Sequence, residues 1–116
     1  MSKKASHNVY VIELSKSIWT ESKKFRDANP QYNGVLECLY VGMTSLTPKK
    51  RFLQHKSGHR SKKGHKISAK FAEKYGLYLR PSLYDHLNPM TKANAIKMEK
   101  ELAMKLRKDR YAVWFN

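Results

Sequence analysis

Two short runs, Asn8–Leu14 (NVYVIEL) and Glu37–Gly42 (ECLYVG), constrain this 116-residue chain more than any other feature. Both favour extended backbone through their β-branched and aromatic residues, and side chains along a strand alternate between its two faces. Tyr10, Ile12 and Leu14 therefore share one face of the first run, and in the second Cys38, Tyr40 and Gly42 alternate with Leu39 and Val41. Two such strands, each with one tyrosine, are expected side by side in a sheet. The length suits one domain with one core, spanning residues 1–116.

Helical signals fill the rest. Thr47-Pro48 pairs an N-capping threonine with a proline at the first helical position, where its missing N–H is harmless. That helix is expected to run to about Lys56. Ser57–Lys66 (SGHRSKKGHK) reads as a basic, glycine-punctuated loop, and Ile67–Tyr75 as a helix with Gly76 as its C-terminal cap. Leu77–Tyr84 supplies a third strand interrupted by Pro81. The longest helix follows at Thr91–Lys108, and Tyr111–Phe115 (YAVWF) is a final strand or a tail packed on the core. Ser15–Gly34 is a polar connection, broken at Asn29-Pro30 and Asn33-Gly34, with a short helix around Trp19–Arg26 and no assigned chemistry. The expected fold is a small single-domain α/β sandwich. Its central sheet is roughly three-stranded and mainly antiparallel, flanked by helices.

Charge limits the partners. Lys+Arg number 24 against 9 Asp+Glu, a formal net charge of +15. Between Thr47 and Arg80 the one acid is Glu73, so the excess forms a local stripe that favours a polyanion, of which nucleic acid is the usual one. No apolar run approaches the roughly 20 residues of a membrane span, and the N-terminus lacks the apolar segment of a signal peptide. A cytoplasmic location is expected. The single cysteine, Cys38, excludes an internal disulfide and argues against a thiolate zinc site.

The long helix carries the most informative residue. At about 100° per residue, Ala95, Leu102, Ala103 and Leu106 fall on one arc, and Glu99 lies inside it. Glu101 falls on the other side with Lys97, Lys105 and Lys108. A lone carboxylate on an apolar stripe costs several kcal/mol unless it is paired, protonated or bound to a cation. An arginine, a tyrosine hydroxyl or a metal ion at the floor of a cleft would each meet that need. Arg51 and His55, four residues apart on one helix face, follow closely behind the Tyr40-Val41-Gly42 strand end. A tyrosine, an arginine and a histidine are thus expected to converge.

In order and spacing these residues resemble the GIY-YIG nucleases. Val9-Tyr10-Val11 stands at the first motif and Tyr40-Val41-Gly42 at the second. Thr44, Arg51 and His55 follow, and Ala95–Leu102 (AIKMEKEL) is similar to the family's helix with its single essential glutamate. The resemblance covers about Asn8–Leu106, and VGMTSLTPKKRFLQHK is closest to the branch of small, structure-specific Slx-type enzymes. It departs in two places: the first motif lacks glycine and isoleucine, and the link between the strands is long.

The resemblance implies a metal-dependent endonuclease that hydrolyses phosphodiester bonds, with DNA the favoured substrate. In that assignment Tyr10 is the general base and Tyr40 orients it, while Arg51 clamps the phosphate and His55 binds it or shuttles a proton. Glu99 holds one divalent cation, Mg²⁺ or Mn²⁺. Because a phenol titrates near pH 10, the reading requires neighbouring cations, Arg51 foremost, to lower the pKa of Tyr10. Gly42 lets backbone approach the substrate, and Thr44 fixes the turn or touches a phosphate. Lys49, Lys50, Lys56, His59, Arg60, Lys62, Lys63 and His65 supply the backbone grip, with specificity left to nucleic-acid shape or a protein partner. Three alternatives stand beside this: a catalytically silent nucleic-acid or ribosome-binding module, a metal site of His55, His59 and His65, and a basic protein for anionic membranes.

Overall fold

The computed structural model describes residues 4–57 and 67–115. In chain order it runs β1 (Asn8–Leu14), α1 (Ser17–Glu21), α2 (Lys23–Asp27), β2 (Cys38–Thr44), α3 (Pro48–Lys56), α4 (Ile67–Tyr75), β3 (Gly76–Leu79), two 3-10 turns at Pro81–Leu83 and Asp85–Leu87, α5 (Lys92–Lys108) and β4 (Ala112–Phe115). The strands form one α/β sheet in the order β3-β1-β2-β4. β1 is antiparallel to both β2 and β3, whereas β4 is parallel to β2. The antiparallel centre is the one expected, and the aromatic tail adds a fourth strand. That strand is parallel because α5 carries the chain back along the sheet before β4 begins.

Register determines which side chains share a layer. Tyr10 pairs with Gly42, Ile12 with Tyr40 and Leu14 with Cys38. On the other side of β2, Cys38 pairs with Ala112 and Tyr40 with Trp114. These residues line one face, and α2, α3 and α4 cover it: Phe71 of α4 meets the Trp114 ring edge-on at 5.0 Å, Phe25 of α2 meets Phe71 at 6.1 Å, and His55 of α3 meets Tyr40 at 5.7 Å. Val9, Val11, Leu39, Val41 and Val113 form the opposite face with Phe115, over whose ring the Arg107 guanidinium of α5 stacks at 5.1 Å. With both faces covered, Val9, Val11, Ile12, Leu39, Val41 and Val113 are fully buried. Each contributes about 1.5–3 kcal/mol relative to an exposed position, so burial of these strands is the largest stabilising term.

Side chains bond to strand backbone on both sides of the sheet. Val113 turns its backbone away from β2, and its N–H donates to Asn29 Oδ1 at 2.7 Å while its carbonyl accepts from Arg107 Nη2 at 2.7 Å. Asn29 is fully buried, also accepts from Gln31 Nε2 and donates to the Phe25 carbonyl. The connection after β1 thus does structural work that its polarity concealed. It holds two five-residue helices, α2 being capped by Ser22, where one helix was expected. Beyond β3, Asn88 takes over the edge of β1, accepting from the Val9 N–H at 2.9 Å and donating to the Val9 carbonyl at 2.7 Å.

Two local expectations are corrected. β3 is Gly76–Leu79 and stops before Pro81, which opens a 3-10 turn and does not interrupt a longer strand. Gly76 begins that strand and is no left-handed cap; a Cβ there would collide with the Ala72 carbonyl oxygen. The left-handed position falls at Arg110, φ 79°, where the Tyr111 N–H closes back on the Leu106 carbonyl at 3.0 Å. A non-glycine residue there costs about 1–2 kcal/mol. Among the described residues no helix is long and apolar enough to cross a membrane.

Asn29→Ala should lower stability by about 2–3 kcal/mol, because it strands the buried Val113 N–H and the Phe25 carbonyl. Urea unfolding followed by tryptophan fluorescence checks this, with the slope of the transition expected to stay unchanged.

Candidate active site

The site begins at the pairing of Tyr10 with Gly42. An ideal Cβ on Gly42 would lie 2.5 Å from Tyr10 Oη and 2.6 Å from Cζ, so the phenol occupies the space that glycine leaves. The absence of a side chain at Gly42 is thus required by Tyr10 itself. Laid across β2, the phenol meets α3 and hydrogen-bonds His55 Nε2 at 3.0 Å. The Tyr40 ring lies on the same face, 6.0 Å from the Tyr10 ring and 5.7 Å from the imidazole. Tyr10, Tyr40 and His55 are 1%, 2% and 4% exposed, a dry three-ring cluster built from two strands and one helix.

α3 reaches the cluster because its start is tightly specified. Thr44 Oγ1, buried at the end of β2, accepts from the Leu46 N–H at 3.0 Å, which selects the turn-fixing role for this threonine. Thr47 then caps the helix through the Lys50 N–H at 3.2 Å, with Pro48 opening it. His55 falls on the buried side, and Arg51, one turn earlier, is half-buried with its Nη1 donating to Gln54 Oε1 at 3.0 Å. Gln54 was not anticipated; its three-residue spacing from Arg51 on a helix is the signal that points to it.

Electrostatics correct one expectation. Burial first, and the neighbouring Tyr40 second, push the Tyr10 pKa well above its ordinary value near 10, while Arg51 pulls the other way and is outweighed. His55 is lowered to about 4, by burial first and Arg51 second. At neutral pH both groups are therefore uncharged, and Tyr10 is no standing phenolate. With both groups neutral, either the phenol donates to Nε2 or Nε2–H donates to the phenol, according to the imidazole tautomer.

The remaining predicted residues divide. Glu99 is 6% exposed among Ala95, Leu102, Ala103 and Leu106 on the packed side of α5, while Glu101 is exposed, as the helical phase required. β4 ends at Phe115 opposite Val41, so among the described residues no strand pairs with β2 at Gly42–Thr44 on the edge where β4 lies. Lys49 and Lys50 are exposed on α3. Lys56 Nζ donates to the carbonyls of Glu73 at 3.0 Å and Gly76 at 2.8 Å, tying α3 to the end of α4 while the residue stays exposed with one N–H to spare. His59, Arg60, Lys62, Lys63 and His65 lie outside the described residues, and with them two members of the alternative histidine metal site. Its third member, His55, is engaged by Tyr10. No group of three or more His, Cys, Asp and Glu that could hold a metal occurs among the described residues.

No protein-family model, no curated protein and no solved structure matches the chain.

The lowered His55 pKa gives a signed pH dependence. The folded state keeps the imidazole neutral below the pH near 6.5 at which the unfolded chain protonates it, so stability present above pH 6.5 is lost as pH falls towards 4. The loss should approach about 3 kcal/mol at 1.36 kcal/mol per pKa unit. Urea midpoints from pH 7.5 to 4.5 check this, with His55→Gln expected to flatten the dependence. Gly42→Ala should cost about 1–3 kcal/mol by displacing the Tyr10 ring.

Proposed function

We propose that this protein is a metal-dependent endonuclease of the GIY-YIG kind, acting on nucleic acid and on DNA by preference. The observation that carries the reading is the 3.0 Å hydrogen bond between Tyr10 and His55 beside Tyr40 and Arg51, an arrangement that suits a base and its proton acceptor next to a cation able to bind phosphate. Tyr10 orients the attacking water and takes its proton while passing its own to Nε2 of His55. Tyr40 orients the phenol by a side-chain hydrogen bond to it.

In the free protein this transfer is uphill, since it runs from a phenol above pKa 10 to an imidazole near 4. Each pKa unit represents 1.36 kcal/mol, so substrate must change the balance. A phosphate on Arg51 has the right sign. It removes part of the positive field that holds His55 low, and its own negative charge stabilises the imidazolium. Acid-base work of this kind contributes about 10²–10⁴-fold.

Glu99 is the candidate metal ligand. Were Mg²⁺ bound, Glu99 would supply one carboxylate from α5, with phosphate oxygens and water completing the shell. Such an ion would neutralise charge on the phosphate oxygens and the leaving group. Lys49 and Lys50 of α3 add backbone contacts.

One observation favours a second reading, a catalytically silent nucleic-acid-binding module. Tyr10 is 1% exposed, which leaves its hydroxyl no bulk water to activate unless substrate opens the cluster. Plasmid and branched-DNA cleavage with and without Mg²⁺ or Mn²⁺ decides between them. The nuclease reading expects metal-dependent nicking reduced at least 100-fold by each of Tyr10→Phe, Arg51→Ala and Glu99→Ala, with Tyr10→Phe leaving binding intact. Binding that falls steeply with salt, without cleavage under any metal, establishes the silent module.

A further inference from the structure

The far edge of the sheet holds a second concentration of positive charge. α3 packs at the β1 and β3 side. Beside β4, at the opposite edge, an open hollow of about 530 Å³ lies between the α2–β2 connection and the end of α5. Ala28, Pro30 and Gln31 form one wall, and Arg107, Lys108 and Arg110 line the other. Three features set it apart from an ordinary solvated helix face.

First, the cations are unneutralised. The adjacent Asp109 pairs with Lys105 at 3.2 Å, and among the described residues no acid pairs with Arg107, Lys108 or Arg110. Second, Arg107 has donor capacity to spare. Its Nη2 is committed to the Val113 carbonyl, its Nη1 meets only the weak acceptor Met104 Sδ at 4.0 Å, and its buried Nε has no acceptor. Burial also lowers the Arg107 pKa, a penalty that a nearby anion offsets. Third, Arg110 keeps a long cationic side chain at φ 79°, where glycine would be unstrained. The negative end of the helix opposes an anion here. The α5 turn that accepts the N–H groups of Asp109, Arg110 and Tyr111 blunts that opposition by occupying the terminal carbonyls.

We propose that this hollow binds a backbone phosphate of nucleic acid, giving the protein a second contact at the β4 edge, across the sheet from α3. The proposal rests on the nucleic-acid reading above for its ligand and not on cleavage. It gives a single small domain two separated grips on one polyanion, an arrangement that suits a bent or branched duplex better than a straight one.

The test compares the full chain with the double variant Lys108→Gln/Arg110→Gly, leaving Arg107 and its structural contacts in place. Glycine tolerates the left-handed backbone, so the variant should melt at or above the wild-type temperature. Binding to a labelled four-way DNA junction is measured from 50 to 300 mM salt. The slope of log K against log salt should fall by about two, and affinity at 100 mM salt by on the order of tenfold. A parallel titration follows the Arg107 and Arg110 side-chain NMR signals with inorganic phosphate and with the junction. Shifts with the junction support the proposal. An unchanged salt slope overturns it, as does a response to inorganic phosphate alone, which would make this a free-anion site. Neither measurement reads cleavage, so a protein that binds this way but never cuts defeats the nuclease reading and leaves this one standing.

Discussion

The antiparallel register of β1 on β2 is the constraint on which the rest depends. With Tyr10 opposite Gly42 and Ile12 opposite Tyr40, both phenols stand on one face, and the ring of Tyr10 fits because its partner has no side chain. A slip of β1 by one residue would turn Tyr10 towards α5, away from Tyr40, and bring Val9 and Val11 under α3. The same register fixes the sheet faces for β4, which takes its place from Cys38 onward, and therefore the side on which α5 must lie.

Around that pairing the protein keeps two electrical environments apart. The chain carries a net charge of +15, while the three-ring cluster is dry enough to hold a phenol and an imidazole neutral. Long-range field and local burial act on Tyr10 with opposite signs, and burial prevails because desolvation acts over the whole phenolate while Arg51 is one partly solvated charge. On the nuclease reading proposed above, chemistry at the cluster would have to begin with a change of surroundings, and Arg51, half-buried and oriented by Gln54, is the charged group beside it.

Edge protection accounts for much of the polar sequence that carries no motif. Asn29, Arg107 and Asn88 each replace a missing strand neighbour by bonding directly to backbone. Exposed strand edges invite pairing with other chains, so these side chains act in folding and in keeping the sheet closed. Lys56 does similar work at the end of α4.

By itself, the sequence determined everything that depends on local spacing. The period-two runs gave β1 and β2, Thr47-Pro48 and Thr91 located the starts of α3 and α5, and the helical phase of Ala95–Leu106 turned Glu99 inward and Glu101 outward. It also brought Arg51 and His55 to one helix face. Tertiary structure alone decided that Tyr10 fills the room at Gly42, that the tail joins as a parallel strand, that Asn29 is a buried edge clamp and that Lys56 is already bonded. It decided as well the direction of the Tyr10 shift. The physical reason is common to all of these: spacing specifies which way a side chain points from its own element, whereas burial, hydrogen-bond partners and pKa depend on what another element brings to meet it.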